Sequence, residues 1–499
     1  MKIEKLNESF SQITGTESEL QNIANRLKVE EPGAFFNPLV KRGFKSPFIY
    51  FTKKFNNSLI VYNGHLRLIG HPEVLKSDFT LNEIKEYLES VIPILPFKPY
   101  DYQLRCFIES ILNVKHINLL ATGSGKSLVI SLLLDFFLKH NKRCLLLVPN
   151  INLLEQFKSD IQSYNLKDLY DNLDTLGGGT KTDFESKVLI STWQSMILYK
   201  SELNKTIKFD VLINDEVHKN AGEVSSEIAA SLLDTKYRFG FTGTLPEDPV
   251  LLYRLIGLFG EDTKYISSRE LIERGLGTPI FINTIIIDYD NDFKEQISFS
   301  TNWLEKLKYI KENENRNNFI TDLSISLLNK HENSLVLFSH TQFGKMIFTK
   351  IMNKLYPEVV IENKDITGKY SFEFQKKYHV YFINGEDDGK IREQTRKILE
   401  TDKGAILVSC YAVLSTGVNI KNLHNMIFAT PLKSYTTITQ SIGRGIRKHS
   451  SKNKFTVFDL VDNLGKRKYS GTFYKQYKHR LSTSYYPEGY QVHESVLKC

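Results

Sequence analysis

Paired cysteines are missing from this chain of 499 residues. Its four cysteines, Cys106, Cys144, Cys410 and Cys499, stand far apart with no CxxC pair, which argues against a zinc or iron–sulfur site and for a reducing compartment. The opening residues, MKIEKLNESF, lack the apolar core of a signal peptide. Long apolar runs are missing too: the strongest, Leu128 to Leu138, is broken by Asp135 and is too short to span a bilayer. No short repeat or low-complexity tract is present, and apolar residues at 41% and charged residues at 24% are ordinary for a globular chain. What remains is a soluble, cytoplasmic protein without a membrane partner, long enough for two to four domains. A formal net charge of +8 suits a polyanionic partner without requiring one.

The chain reads in four parts. Residues 1–90 mix a helical pattern (Leu20, Ile23, Leu27) with short β-type runs, PFIYF and SLIVY, and form an accessory α+β domain expected to bind DNA. Three prolines between Pro93 and Pro99 mark a linker. Residues 91–262 then alternate strand, loop and helix: HINLL, RCLLLVP, KVLIST, DVLIND and RFGFTGT. A second series, SLVLFSH, HVYFING, GAILVSC, HNMIFAT and FTVFDLV, occupies residues 263–465. Alternation of this kind predicts an α/β fold of two tandem parallel-sheet lobes. Residues 466–499 form a basic, aromatic tail, expected either to touch nucleic acid or to dock on the second lobe by its tyrosines.

Three clusters carry chemistry. Thr122-Gly123-Ser124-Gly125-Lys126-Ser127 lies between a strand and a helix, the setting of a loop whose amides cradle phosphate. Lys126 is placed to reach the β- and γ-phosphates of ATP and Ser127 to hold Mg2+. The generic pattern has Gly where this chain has Leu120, so a plain Gly-rich turn is the competing reading. Asp215 and Glu216 follow the apolar run VLIN; Asp215 suits a metal and Glu216 a general base, against the alternative of an exposed acidic turn. Gln440-Ser441-Ile442-Gly443-Arg444-Gly445-Ile446-Arg447 spaces two arginines three apart, so that on a helix they share one face. Such guanidinium groups grip phosphate, unless the helix is merely a solvated basic one.

A phosphate loop, an acidic strand end and a paired-arginine motif in a second lobe, in that order, resemble the superfamily-two DExH helicases. The resemblance implies two lobes of the RecA type closing on one ATP. It assigns Gln103 to the adenine, Gly417 to the nucleotide, Gln440, Arg444 and Arg447 to catalysis, and His218, Thr242 and Thr244 to coupling hydrolysis to movement. Contacts to DNA are implied for Pro149, Asn150, Gly178, Thr192, Gln194, Ser339, His340 and Thr416. STWQS, LVLFSHTQFGK, the Ser415-Thr416-Gly417 element followed by KNLHN, and QSIGRGIRKH narrow the likeness to the phage UvsW-type DNA helicases, which remodel branched DNA in recombination and replication restart. The chain departs from the family at Asn419, where Asp is usual, and lacks the Trp-Asp-Gly that follows the FNP element (here Phe36-Asn37-Pro38).

The rival readings are an RNA helicase, the motor subunit of a DNA-translocating restriction complex, and an ATP-binding clamp without turnover. No RNP1 octapeptide and no nuclease constellation is apparent, and Lys126, Asp215, Glu216, Arg444 and Arg447 are all in place. The pattern is compatible with a monomer.

Overall fold

Continuous Val, Leu and Ile runs become strands buried on both faces, and they assemble two parallel sheets. The computed structural model describes residues 1–218, 223–298, 302–359, 372–385, 387, 389–411, 413, 420–465 and 470–499. It divides into two compact units, Met1–Ile266 and Ser267–Cys499.

The first unit opens with six short strands: β1 (Lys2–Lys5), β2 (Phe10–Thr14), β3 (Lys28–Glu30), β4 (Phe48–Tyr50), β5 (Thr52–Phe55) and β6 (Ser58–Tyr62). An antiparallel sheet takes the order β1-β2-β6-β5, while β3 and β4 pair separately as a ribbon. Ile13, Leu59 and Val61 from the sheet pack against Ile23 and Leu27 of the helix Glu17–Arg26 and its end. That helix starts at a reciprocal cap between Thr16 and Glu19, which satisfies two otherwise orphaned amides.

This small layer is not tethered at a distance. A Cβ on Gly64 would stand 2.0 Å from the Ile256 carbonyl oxygen, so glycine is what lets the two backbones touch. Beside it the fully buried His65 donates Nε2–H to the Tyr253 carbonyl at 2.8 Å. The helix Leu81–Val91 buries Ile84, Tyr87, Leu88 and Val91, and the Tyr87 hydroxyl donates to Asp135 at 2.8 Å. The prolines between Pro93 and Pro99 thus join two packed helices instead of separating two domains, because the apolar stripe on 81–91 belongs to the wall of the parallel sheet.

That sheet comprises β7 (Lys115–Leu120), β8 (Cys144–Val148), β9 (Leu173–Leu176), β10 (Val188–Thr192), β11 (Val211–Asp215), β12 (Tyr237–Thr242) and β13 (Asp262–Ile266). Its order is β13-β7-β12-β11-β8-β10-β9, and every pairing is parallel. All seven strands therefore end on one edge, where ligands of open α/β sheets bind. Because β13 closes this sheet, the first unit runs to Ile266, past the expected boundary at 262.

The second unit repeats the plan with β14 (Ile280–Asp288), β15 (Ser334–Phe338), β16 (Val380–Ile383), β17 (Ile406–Cys410), β18 (Asn425–Phe428), β19 (Phe455–Asn463) and β20 (Gln491–Lys498), ordered β16-β17-β15-β18-β19-β14-β20 and parallel throughout. Two fully buried ion pairs pin helices to β19: Arg316 to Asp462 at 2.8 Å and Arg480 to Asp459 at 2.9 Å. Removing one partner of such a pair costs about 3–5 kcal/mol, since the other charge is left in the core.

The supposed tail is part of this unit. Phe473, Tyr474 and Tyr477 of the helix Thr472–Arg480 are buried, the Tyr485 hydroxyl donates to Asp459 at 2.8 Å, and β20 extends the sheet beside β14. Of the two expectations for the tail, docking by its tyrosines describes residues 472–498; Lys466 to Tyr469 lie outside the described residues.

Candidate functional site

The phosphate loop leaves β7 and ends where the helix Lys126–Lys139 begins. Gly123 and Gly125 take φ of 84° and 79°, left-handed values that a side chain would strain. The first amides of that 14-residue helix have no intrahelical acceptor and carry the positive end of its dipole, so they suit phosphate oxygens. The loop is braced from behind. The Ser124 carbonyl accepts from the Tyr102 hydroxyl and from Gln103 Nε2, both at 2.8 Å. Gln103 Oε1 in turn accepts the Tyr100 amide at 2.8 Å, so the carboxamide is engaged at both ends. Ser127 exchanges a hydrogen bond with the Tyr164 hydroxyl at 2.8 Å.

Asp215 is the last residue of β11 and is buried. Glu216 follows with φ 52°, a left-handed conformation uncommon for a residue with a side chain and one that concentrates at functional sites. The turn brings Glu216 Oε1 to 3.5 Å from Lys126 Nζ, so the phosphate loop and the acidic strand end meet. Glu216 Oε2 lies 3.4 Å from His218 Nδ1, and His218 Nδ1 lies 2.6 Å from Thr242 Oγ1. Thr242 donates its own hydroxyl proton to the Thr244 carbonyl at 2.7 Å, so it accepts from His218, whose proton sits on Nδ1. A polar line thus runs Lys126–Glu216–His218–Thr242–Thr244 across the ends of β11 and β12. Ser127 and Asp215 offer hydroxyl and carboxylate oxygens, the donor chemistry Mg2+ prefers.

Further along the same edge, Asn150 accepts the Leu153 amide at 3.0 Å and caps the helix Ile151–Ser163. A Cβ on Gly178 would lie 3.2 Å from Ile151, and one on Gly177 3.1 Å from Thr192, so the glycine turn nests between them. Thr192 caps the short helix Trp193–Met196, on which Gln194 is exposed. Pro149 is buried.

In the second unit, Ser339 is exposed and bonded to His340 Nδ1 at 2.9 Å. Burial, with the charge of Lys311, holds the His340 imidazole below its ordinary value. Gln440 lies on the helix Tyr435–Gly443, but that helix stops before the arginines: Arg444 is its cap and Arg447 follows in a turn. They therefore do not share a helical face. The cause is non-local. Thr278 donates its amide to the Ile446 carbonyl at 2.6 Å and its hydroxyl to the Arg447 carbonyl at 3.0 Å, and Lys452 donates to the Gly445 carbonyl at 2.9 Å. These partners capture carbonyls that a continuing helix would use, and Gly445 presses on the Phe455 ring, where a Cβ would come within 2.1 Å. Thr416 and Gly417 lie outside the described residues.

Tyr102 and Tyr164 were not foreseen. Tyr102 adjoins Gln103 in PYDYQLRCF, a signal of sorts; Tyr164 is 37 positions from Ser127 and carries none.

Residues 97–247 match the family described as type III restriction enzyme, res subunit, and residues 321–449 match the helicase conserved C-terminal domain. The ATP-dependent DNA helicase uvsW of Enterobacteria phage T4 is 33% identical over 387 residues, covering 77% of this chain and 72% of the relative. The crystal structure of T4 UvsW aligns over 99% of both chains at 26% identity with a TM-score of 0.46. S. cerevisiae Dbp5 bound to RNA and ADP BeF3 covers 83% of this chain and 93% of its own at 13% identity and a TM-score of 0.53, a likeness of fold. Among the described residues no helix is long and apolar enough to cross a membrane.

Proposed function

This chain belongs to the UvsW-type DNA helicases of superfamily two, and from that premise we propose that it uses ATP hydrolysis to remodel branched DNA: forks, Holliday junctions, D-loops or R-loops. The setting would be phage recombination, repair and replication in the host cytoplasm. The observation that carries the chemistry is the meeting of Lys126 with Glu216, and of Glu216 with His218 and Thr242, at the end of one sheet.

In this reading Lys126 and the helix amides neutralise the β- and γ-phosphates. Ser127 and Asp215 would hold Mg2+, which supplies further charge neutralisation. Glu216 accepts the proton of the attacking water as the new phosphorus–oxygen bond forms and ADP departs. A base that moves during this step pulls on His218 and so on the Thr242–Thr244 turn, which links hydrolysis to movement. Family resemblance gives Arg444 and Arg447 the role of adding positive charge in the transition state. The DNA-facing roles of Asn150, Gly178, Thr192, Gln194, Ser339 and His340 rest on family resemblance and on their position near strand ends.

The deciding experiment compares ATPase stimulation and unwinding on a Holliday junction, a fork, a linear duplex, single-stranded DNA and RNA. Strongest response to the junction or fork is expected. Equal response to the linear duplex, or strongest response to RNA, would overturn the branched-DNA reading.

A further inference from the structure

From Pro32 to Pro72 the chain holds six Lys or Arg residues and no Asp or Glu. Residues 31–47, which begin at Glu31 just ahead of that span, leave the ribbon at β3 and return at β4, an excursion turned by Gly33 at φ 74° and Gly43 at φ 75°. Its apolar side chains are not core. Phe36 is 83% exposed, Phe44 79%, Phe35 54% and Leu39 52%, and none joins the cluster formed by Ile13, Ile23, Leu59 and Val61. Phe51, by contrast, packs on that cluster. Lys41 and Arg42 stand exposed on the same excursion, while Lys45 is engaged by Glu31 at 2.6 Å.

We propose that this excursion is a nucleic-acid contact at which Phe36 and Phe44 stack on unpaired bases while Lys41 and Arg42 meet the flanking phosphates. The proposal rests on the branched-DNA reading and gives it a physical basis. A fully paired duplex offers phosphates but no free base faces; a fork with single-stranded arms offers both. The combination of exposed rings with Lys41 and Arg42 exposed beside them matches that pair of features. An electrically neutral protein or lipid surface would be served by the rings but would gain nothing from the absence of acidic residues between Pro32 and Pro72.

The test uses the full chain and three DNAs: a fork with 2-aminopurine at the first unpaired position, a linear duplex and single-stranded DNA. Phe36→Ala/Phe44→Ala should weaken fork binding by about tenfold or more and abolish 2-aminopurine quenching, in keeping with stacking by one or two bases. Binding to the linear duplex should change less than about twofold, since phosphate contacts are kept. Lys41→Glu/Arg42→Glu should weaken binding to all three and flatten the salt dependence. Phe36→Trp/Phe44→Trp should keep fork binding and quenching, which separates lost stacking from damaged folding. ATPase at saturating single-stranded DNA should be unchanged in every variant. If the alanine pair bound and quenched the fork like the parent, the contact would be refuted; so too if it lost only self-association or lipid binding. Should the parent itself show no preference for forks, the branched-DNA reading fails instead, which keeps the two outcomes apart.

Discussion

Replacing Gln103 by Ala removes a carboxamide that works at both ends, one on the Tyr100 amide and one on the Ser124 carbonyl. Each bond is worth roughly 1 kcal/mol net, and only the buried one to Ser124 reaches the phosphate loop, so the loop loses about 1 kcal/mol of bracing. If the nucleotide must restore that order on binding, its affinity falls by about fivefold. Tyr102 still holds the Ser124 carbonyl, so the loop is loosened and not unfolded. Gly125→Ala reaches the same contact from the other side, because its Cβ would stand 2.4 Å from Gln103 Nε2, and φ 79° adds about 1–3 kcal/mol of backbone strain. Acting through one contact, the two changes combined should weaken binding by less than the product of their separate effects. The assay is binding and KM for ATP and GTP at saturating single-stranded DNA. Bracing acts on phosphates common to both nucleotides, so both should weaken equally. A loss confined to ATP would refute this reasoning and return Gln103 to the adenine-reading role that family resemblance implies.

Other expectations follow from the same geometry. Lys126→Ala and Glu216→Gln should each lower ATP turnover by ~10²-fold or more while leaving DNA binding intact; near-normal hydrolysis by Glu216→Gln would place the base elsewhere. Thr242→Val deletes the hydroxyl between His218 and the Thr244 carbonyl and should reduce unwinding per ATP by about tenfold, whereas a proportional fall of ATPase and unwinding would deny the coupling role. Arg444→Ala and Arg447→Ala should lower kcat more than they raise KM, a pattern expected of groups that act on developing charge. Burial lowers the His65 imidazole to about 4, so it is neutral when folded and takes up a proton on unfolding between pH 6.5 and 4. Its contribution is therefore intact above pH 6.5 and lost as pH falls, by at most about 3 kcal/mol. Thermal unfolding from pH 7 to 4.5 should show that loss in the parent and a flatter profile in His65→Gln; identical profiles would count against it.

Local chemistry was legible and non-local chemistry was not. The phosphate loop and the acidic strand end are contiguous words whose flanking strand and helix are written beside them, and nine of the apolar runs named as strands, from RCLLLVP to FTVFDLV, are strands. By contrast β14, IFINTIIID, the purest β-branched run, stands outside both series of runs named above. β20 is largely exposed and β13 only half-buried, so neither carries a strong hydrophobic signature. The arginine spacing pointed to a helix face because nothing in QSIGRGIR shows that Thr278, some 170 residues earlier, will claim its carbonyls. The proline stretch misled in a similar way: its meaning depended on the Tyr87–Asp135 contact, not on its composition.

The position of β14 has a consequence for biosynthesis. It is the first strand of its unit to be made, yet both of its neighbours, β19 and β20, come from the far end of the chain. At ~5–20 residues per second, β19 leaves the ribosome about 10–35 seconds after β14, since it follows roughly 175 residues later. Throughout that interval a nine-residue apolar strand has neither of its hydrogen-bonding partners. Such a segment invites pairing with other chains, so yield in the cell should depend on chaperone supply and synthesis rate more for the second unit than for the first.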